Sequence, residues 1–274
     1  MNGESDFAQG CNLSPEVWAK ANAEWAFQRP EVRRSVADFP PVELMQNVSG
    51  LTSERDFAAH GAHFWLALNR LSAKPLSQYA SLLDLGCGCG RLGRLFKGHT
   101  GRICGCDIDA RHVDFVGKTL PWIHAQLTEP DRPLPYRTRE FDCVISISVF
   151  SHLTEESQDI LLRELHRVTK GGGQLLLTIH GERALRRAID ETPIRDMLSM
   201  DPRLFDGAIT DFNNGRHAFI RQNGHLTTSS YTYGIAFIPT EYVQKHWGKW
   251  FIVENHASGA IHDFQDVVVL RPRG

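Results

Sequence analysis

Short, mainly apolar runs separated by polar, helix-compatible stretches recur through the middle of the chain. The runs are 81–85, 102–106, 122–125, 141–147 and 175–179. The last is a continuous apolar run, and the alternation of such strands with helices is the pattern of a parallel sheet. Helices are expected between them over about 91–96, 110–119 and 154–169. The last of these has Thr154 as cap, Glu155 and Glu156 in its first turn, and an apolar stripe of Leu161, Leu165 and Val168. Lys170-Gly171-Gly172-Gly173 then reads as its stop. Strand and helix in regular alternation make this an α/β chain.

The flanks are less regular. Pro15-Glu16 opens an expected helix to about Phe27, and Arg29-Pro30 and Phe39-Pro40-Pro41 break the chain after it. Ser53-Glu54-Arg55-Asp56 reads as a capping box variant opening a helix over 53–71, with Phe57, Gly61, Phe64, Leu68 and Leu71 on one face. After His180-Gly181 a helix is expected over 182–190, then a loop-rich region over 192–227, with an extra strand over 228–238. A helix over 240–247 and strands over 251–255 and 266–270 close the pattern. Residues 1–50 therefore read as an amino-terminal helical extension and 51–274 as the main domain. Its core spans 80–181, and an insertion over about 182–238 would cover an acceptor site.

Composition narrows this picture. The 30 basic and 32 acidic residues give a net charge of −2, so there is no global pull on nucleic acid. No apolar stretch reaches the roughly 18–20 residues of a membrane span, and Met1 to Gly10 lacks a leader pattern; the expected location is cytoplasmic. Four of the six cysteines form Cys87-x-Cys89 and Cys104-x-Cys106. That spacing departs from C-x(2–4)-C zinc sites, so the expectation is buried reduced thiols and no metal.

The stretch richest in chemistry is Asp84-Leu85-Gly86-Cys87-Gly88-Cys89-Gly90-Arg91-Leu92-Gly93. One register, Gly88-x-Gly90-x-x-Gly93 with Asp107 following, matches a dinucleotide fingerprint and points to a nicotinamide-dependent oxidoreductase. The other, Asp84-x-Gly86-x-Gly88-x-Gly90, places an acid at the strand end and glycines directly after it, where backbone can approach a ligand without Cβ clashes.

The second register resembles motif I of class I S-adenosylmethionine-dependent methyltransferases. Gly105-Cys106-Asp107-Ile108-Asp109, Phe141-Asp142-Cys143-Val144-Ile145-Ser146 and Lys170-Gly171-Gly172-Gly173 are similar to further motifs of that family. The likeness is closer to a bacterial subgroup associated with glycosyltransferase and polysaccharide genes. It is carried by Leu134-Pro135-Tyr136, Ser148-Val149-Phe150-Ser151-His152-Leu153, Leu177-Thr178-Ile179-His180-Gly181 and Gln265-Asp266-Val267-Val268-Val269-Leu270. It covers residues 45–181 well and 182–274 loosely, and residues 1–44 carry none of it. The resemblance implies a Rossmann-like, mostly parallel seven-stranded sheet with helices on both faces and an antiparallel last strand.

It also implies S-adenosyl-L-methionine as cofactor. Asp84 would attract the ammonium, with Gly86, Cys87, Gly88 and Gly90 around the amino-acid end. Asp107 would take the ribose hydroxyls, with Ile108, Gln126, Leu127 and Ser146 lining the rest and Gln126 near the adenine amine. His152 and His180 follow the fourth and fifth strands and are the candidate bases. The acceptor would be a small-molecule or glycan hydroxyl. The four-residue amide-and-proline signature of many amino-methylating enzymes is absent, since the fourth strand runs on as Ser146-Ile147-Ser148-Val149. A protein that binds the cofactor without catalysis is the remaining alternative.

Overall fold

The computed structural model describes residues 15–23, 33, 36–222 and 232–274. The chain forms two compact units, Met1–Leu127 and Thr128–Gly274.

The first unit opens with α1 (Pro15–Ala23), which buries Trp18, Ala19 and Ala21; the expected continuation to Phe27 lies outside the described residues. In the supposedly irregular stretch that follows, α2 (Val42–Ser49) forms after Pro41 and ends at Gly50. At φ 71° this glycine donates its N–H to Gln46 O, the left-handed stop that favours glycine. The side chain of Ser53 accepts the N–H of Asp56 and starts α3 (Glu54–Leu71), whose buried face carries Phe57, Gly61, Phe64, Trp65 and Leu68.

Next comes β1 (Ser81–Leu85), buried at every position. β2 (Arg102–Asp107) lies parallel to it with Leu83 opposite Cys104. α4 (Ala110–Thr119) starts at Asp109, whose carboxylate accepts the N–H of Arg111. β3 (Ile123–Leu127) pairs in parallel with β2, two residues longer at its far end than the apolar run suggests. The helix expected over 91–96 does not form. Turns lead instead into a short 3-10 segment, Gly93–Phe96. Leu92, Arg94, Leu95 and Phe96 are all buried, so there is no solvated face to support an amphipathic helix, and Gly90 at φ 81° and Gly98 at φ 84° bracket the segment.

In the second unit β4 (Phe141–Ser146) leads to α5 (Glu155–Val168), capped by Thr154. β5 (Thr169–Ile179) begins as soon as α5 ends. The glycines taken as a helix stop therefore lie inside a strand. Phe141 pairs with Thr169 and Cys143 with Gln174, so Gly171, Gly172 and Gly173 bulge between these contacts.

The region 192–227 is not loop-rich. It follows α6 (Glu182–Asp190) with α7 (Thr192–Leu198), α8 (Pro202–Asn213) and β6 (Ala218–Arg221). Pro193 and Pro202 sit in first turns, where a missing N–H costs nothing, and Asp201 caps α8. β7 (Gly234–Phe237) pairs antiparallel with β6; the first part of the strand expected over 228–238 lies outside the described residues. These elements share a core that includes Leu185, Phe205, Phe212, Ile220 and Phe237. After α9 (Thr240–His246), β8 (Phe251–Ile261) and β9 (Gln265–Pro272) run as a longer antiparallel pair than expected. β9 is antiparallel to β5 as well, with Ile179 opposite Asp266.

The sheet has seven strands in the order β3-β2-β1-β4-β5-β9-β8. It is mostly parallel, with β9 as the antiparallel strand, in agreement with the fold class expected from the sequence.

Candidate active site

Within the first unit, the loop after β1 is held in place by the end of β2. Gly86 and Cys87 both donate to Cys106 O, at 2.8 and 3.0 Å. Gly88 donates its N–H to Asp107 Oδ2 at 2.8 Å, and Asp109 donates to Asp107 Oδ1 at 2.9 Å. One carboxylate thus fixes the loop and the turn after β2, and each oxygen keeps acceptor capacity. Gly86, Gly88 and Gly90 have φ of 72°, 51° and 81°, backbone that side chains strain to adopt. A Cβ at Gly88 would stand 2.8 Å from Val48 Cγ1, and one at Gly90 2.4 Å from Leu120 Cδ1. Val48 belongs to α2, as does Leu44, whose carbonyl accepts from Cys89 Sγ at 3.6 Å. α2 therefore packs against the glycine loop.

Asp84 is 2% exposed, and its Oδ2 is buried with no hydrogen-bond partner. Burial pushes its pKa up to about 7; Arg91 pulls it down and Asp107 adds to the rise. Burial likewise pushes the thiols of Cys87 and Cys89 up, the latter to about 12, so both are small neutral neighbours of the loop rather than thiolates. Ile108 is half-buried, and Gln126 and Leu127 are exposed. The β2–β3 register sets Gln126 opposite Cys106 and Leu127 opposite Asp107. Arg91 stands in the motif stretch, where the sequence gives it no role; it is buried beside this loop with Nη1 2.9 Å from His60 Nδ1 and its guanidinium 4.9 Å from the centre of the Phe64 ring.

The second unit carries the other candidates. Ser146, at the end of β4, is fully buried. Ser148 has φ 55°; its N–H goes to Thr178 Oγ1 at 2.8 Å, and its Oγ accepts from Gln265 Nε2 at 2.8 Å. His152 closes a 3-10 turn, Phe150–His152. Its Nδ1 lies 2.9 Å from Gly234 O, and its ring stacks on Tyr233 at 4.8 Å between centroids. The ring of His180 is 6.0 Å away, edge to face. The structure thus brings the two candidate histidines together; it also adds Gly234 and Gln265 as partners, which adjacency in sequence could not supply.

His180 is 2% exposed, with Nδ1 buried and unpartnered, and burial, assisted by His152, lowers its pKa to about 3. Between pH 6.5 and about 3 the unfolded chain takes up a proton here that the folded chain refuses. Stability from this group is therefore complete above pH 6.5 and is lost as pH falls, by about 1.4 kcal/mol per pH unit. His217, lowered to about 4 by burial, acts in the same direction. The slope of unfolding free energy against pH, measured by urea titration from pH 6.5 to 4.5, is expected to fall by about 1.4 kcal/mol per unit in His180→Gln. An unchanged slope would rule out a neutral buried His180.

Comparison with known proteins bears on what this arrangement serves. Residues 83–177 match the family model described as a methyltransferase domain. Among solved structures, the PH0226 protein from Pyrococcus horikoshii superposes with a TM-score of 0.54 at 17% identity, over 76% of this chain and 89% of that one. An S-adenosylmethionine-dependent methyltransferase from Mesorhizobium loti gives 0.50 at 14%, over 77% and 98%. Human N-acetylserotonin methyltransferase, solved with S-adenosylmethionine, gives 0.50 at 19%, over 98% of this chain and 65% of that one. At these identities the structural likenesses establish the fold. The domain match spans β1 to β5 and takes in Asp84, the three glycines, Asp107 and His152. The match makes residues 83–177 a methyltransferase domain, on a fold shared with solved S-adenosylmethionine-dependent methyltransferases.

Proposed function

We propose that the chain is a methyltransferase that uses S-adenosyl-L-methionine as cofactor and methylates a hydroxyl of a small molecule or glycan, with His152 as general base. One observation carries this reading. A carbonyl oxygen can only accept, so the contact from His152 Nδ1 to Gly234 O keeps a proton on Nδ1, and in the neutral ring the lone pair is then on Nε2. A neutral imidazole fixed in that tautomer, with its plane set by Tyr233, is the form that takes a proton from a hydroxyl. His180, pushed by burial far below the ordinary imidazole range, is the poorer proton acceptor; its part is to form the wall against which His152 rests. The glycan half of the proposal comes from the resemblance to the polysaccharide-associated subgroup.

For the cofactor, the unpartnered carboxyl oxygen of Asp84 suits an ammonium, and the backbone of Gly86, Cys87, Gly88 and Gly90 leaves room for the amino-acid end. Asp107, whose oxygens retain acceptor capacity, suits the ribose diol. Ile108 and the exposed Leu127 suit the two sides of the base, with Gln126 at its amine. When bound, the cofactor supplies a methyl carbon already activated by its sulfonium. The protein then has to orient the acceptor and remove its proton.

Isotope-labelled methyl donor incubated with a panel of nucleotide sugars, oligosaccharides, phenols and amines tests the reading. The expected result is label on oxygen, located by fragmentation. Label on nitrogen or carbon, at rates above those of every hydroxyl acceptor, would overturn it.

A further inference from the structure

The part-buried Arg167 pairs with Glu164 and caps two carbonyls, and the buried Arg94 donates to the carbonyl of Ala37. Among the described residues, Arg91 has neither a carboxylate nor a carbonyl as its hydrogen-bond partner. It is 9% exposed and presents five N–H donors, and the hydrogen bond it makes among the described residues goes to Nδ1 of His60. A guanidinium only donates, so the lone pair of His60 must sit on Nδ1, and this bond sets no negative charge against the cation. The ring face of Phe64 adds a weaker attraction. Burial lowers the pKa of Arg91 to about 10, and Asp84 acts on it in the opposite direction. Arg91 and Asp84 therefore feel each other without a hydrogen bond joining them, and a buried charge without a partner is costly.

The main chain at Arg91 is also fixed. A Cβ at Gly61 of α3 would stand 2.6 Å from Arg91 O, so only glycine lets α3 approach the loop so closely. The guanidinium is thus anchored at its base by Gly61 and at its tip by His60 and Phe64. One glycine loop thus has at its two ends a buried carboxyl with an unpartnered oxygen and a buried guanidinium bonded, among the described residues, only to an imidazole, a pair suited to the two ends of a zwitterion.

We infer that Arg91 is the counter-ion for the carboxylate of the cofactor's amino-acid end, opposite the ammonium held by Asp84. This rests on the placement of that end at the glycine loop proposed above. A guanidinium offers a carboxylate paired donors, which an ammonium cannot do.

Calorimetry on the full chain tests it with three ligands: S-adenosylhomocysteine, its decarboxylated counterpart, and methylthioadenosine, which lacks the amino-acid end altogether. Wild type is expected to bind S-adenosylhomocysteine about 10- to 100-fold more tightly than the decarboxylated ligand, the range for hydrogen bonds between charged groups. In Arg91→Gln that preference is expected to shrink to within about threefold, while affinity for methylthioadenosine stays within about twofold of wild type. Equal binding of the first two ligands by wild type would overturn the assignment without need of any variant. So would a parallel loss of methylthioadenosine affinity in Arg91→Gln, which would make Arg91 a support of the loop. If Asp84→Asn also leaves S-adenosylhomocysteine affinity intact, the placement of the amino-acid end at this loop fails. If only Arg91→Gln does so, the carboxylate assignment alone fails.

Discussion

Asp107→Ala is expected to weaken S-adenosylhomocysteine binding by at least about 100-fold. A carboxylate holding a ribose diol contributes two charge-assisted hydrogen bonds, each worth about 1.5–3 kcal/mol when its partner is left buried. The same carboxylate holds Gly88 at 2.8 Å and the turn at Asp109 at 2.9 Å, so its removal also loosens the loop that receives the other end of the ligand. Asp107→Asn separates the two contributions. The amide keeps one oxygen for Gly88 or for the ribose and offers no charge, so its affinity should fall between those of wild type and alanine. Calorimetry at neutral pH reads both variants, and thermal unfolding without ligand reports the loop anchor alone. A loss of less than about threefold in Asp107→Ala would remove Asp107 from the ribose site.

The second large effect concerns the chemical step. His152→Ala should lower kcat by about 10²- to 10⁴-fold, the usual range for loss of a positioned general base, with S-adenosylhomocysteine affinity unchanged. Wild-type kcat should rise with pH along one ionisation, and the variant should lack that limb. His152→Asn is the informative control. Its amide nitrogen stands where Nδ1 stood and can still donate to Gly234 O, so the turn is kept while the proton acceptor is lost. Turnover in His152→Asn close to that of wild type would assign His152 to shaping the site and leave deprotonation to another group. The best hydroxyl acceptor found in the labelled-donor panel serves as substrate.

The parallel half of the fold was legible because β1, β2, β4 and the later part of β5 are largely buried and show as mainly apolar runs, whereas β3, exposed at His124, Gln126 and Leu127, was legible only as the next step in the alternation of strand and helix. The glycine triplet and Asp107 were legible for a related reason. Positive φ and a shared hydrogen bond are requirements of residues close in sequence, and nineteen positions separate Gly88 from Asp107. What sequence misread is equally specific. Pro193 and Pro202 look like breaks but occupy helix first turns, so α7 and α8 were taken for loop. Residues 91–96 look helical but are buried on every side. Gly171, Gly172 and Gly173 look like a helix stop and form a strand bulge. The long-range partners were out of reach altogether. His60 and Arg91 are 31 residues apart, and His152 and Gly234 are 82 apart; no local pattern encodes either contact.

One consequence of the topology concerns how the chain is made. β9 runs between β5 and β8, and Val267, Val268, Val269 and Leu270 are buried there. As the polypeptide emerges during translation, β5 is completed long before residue 265, and its outer row of peptide groups has nothing to bond to in the interval. An open, apolar strand edge is a template for pairing with another nascent copy. Folding of the second unit is thus gated by the late arrival of a single strand, and its slow phase should be long-range closure rather than local helix formation. The strand that completes the sheet is also the one that brings Gln265 to Ser148, so these polar contacts are assembled last.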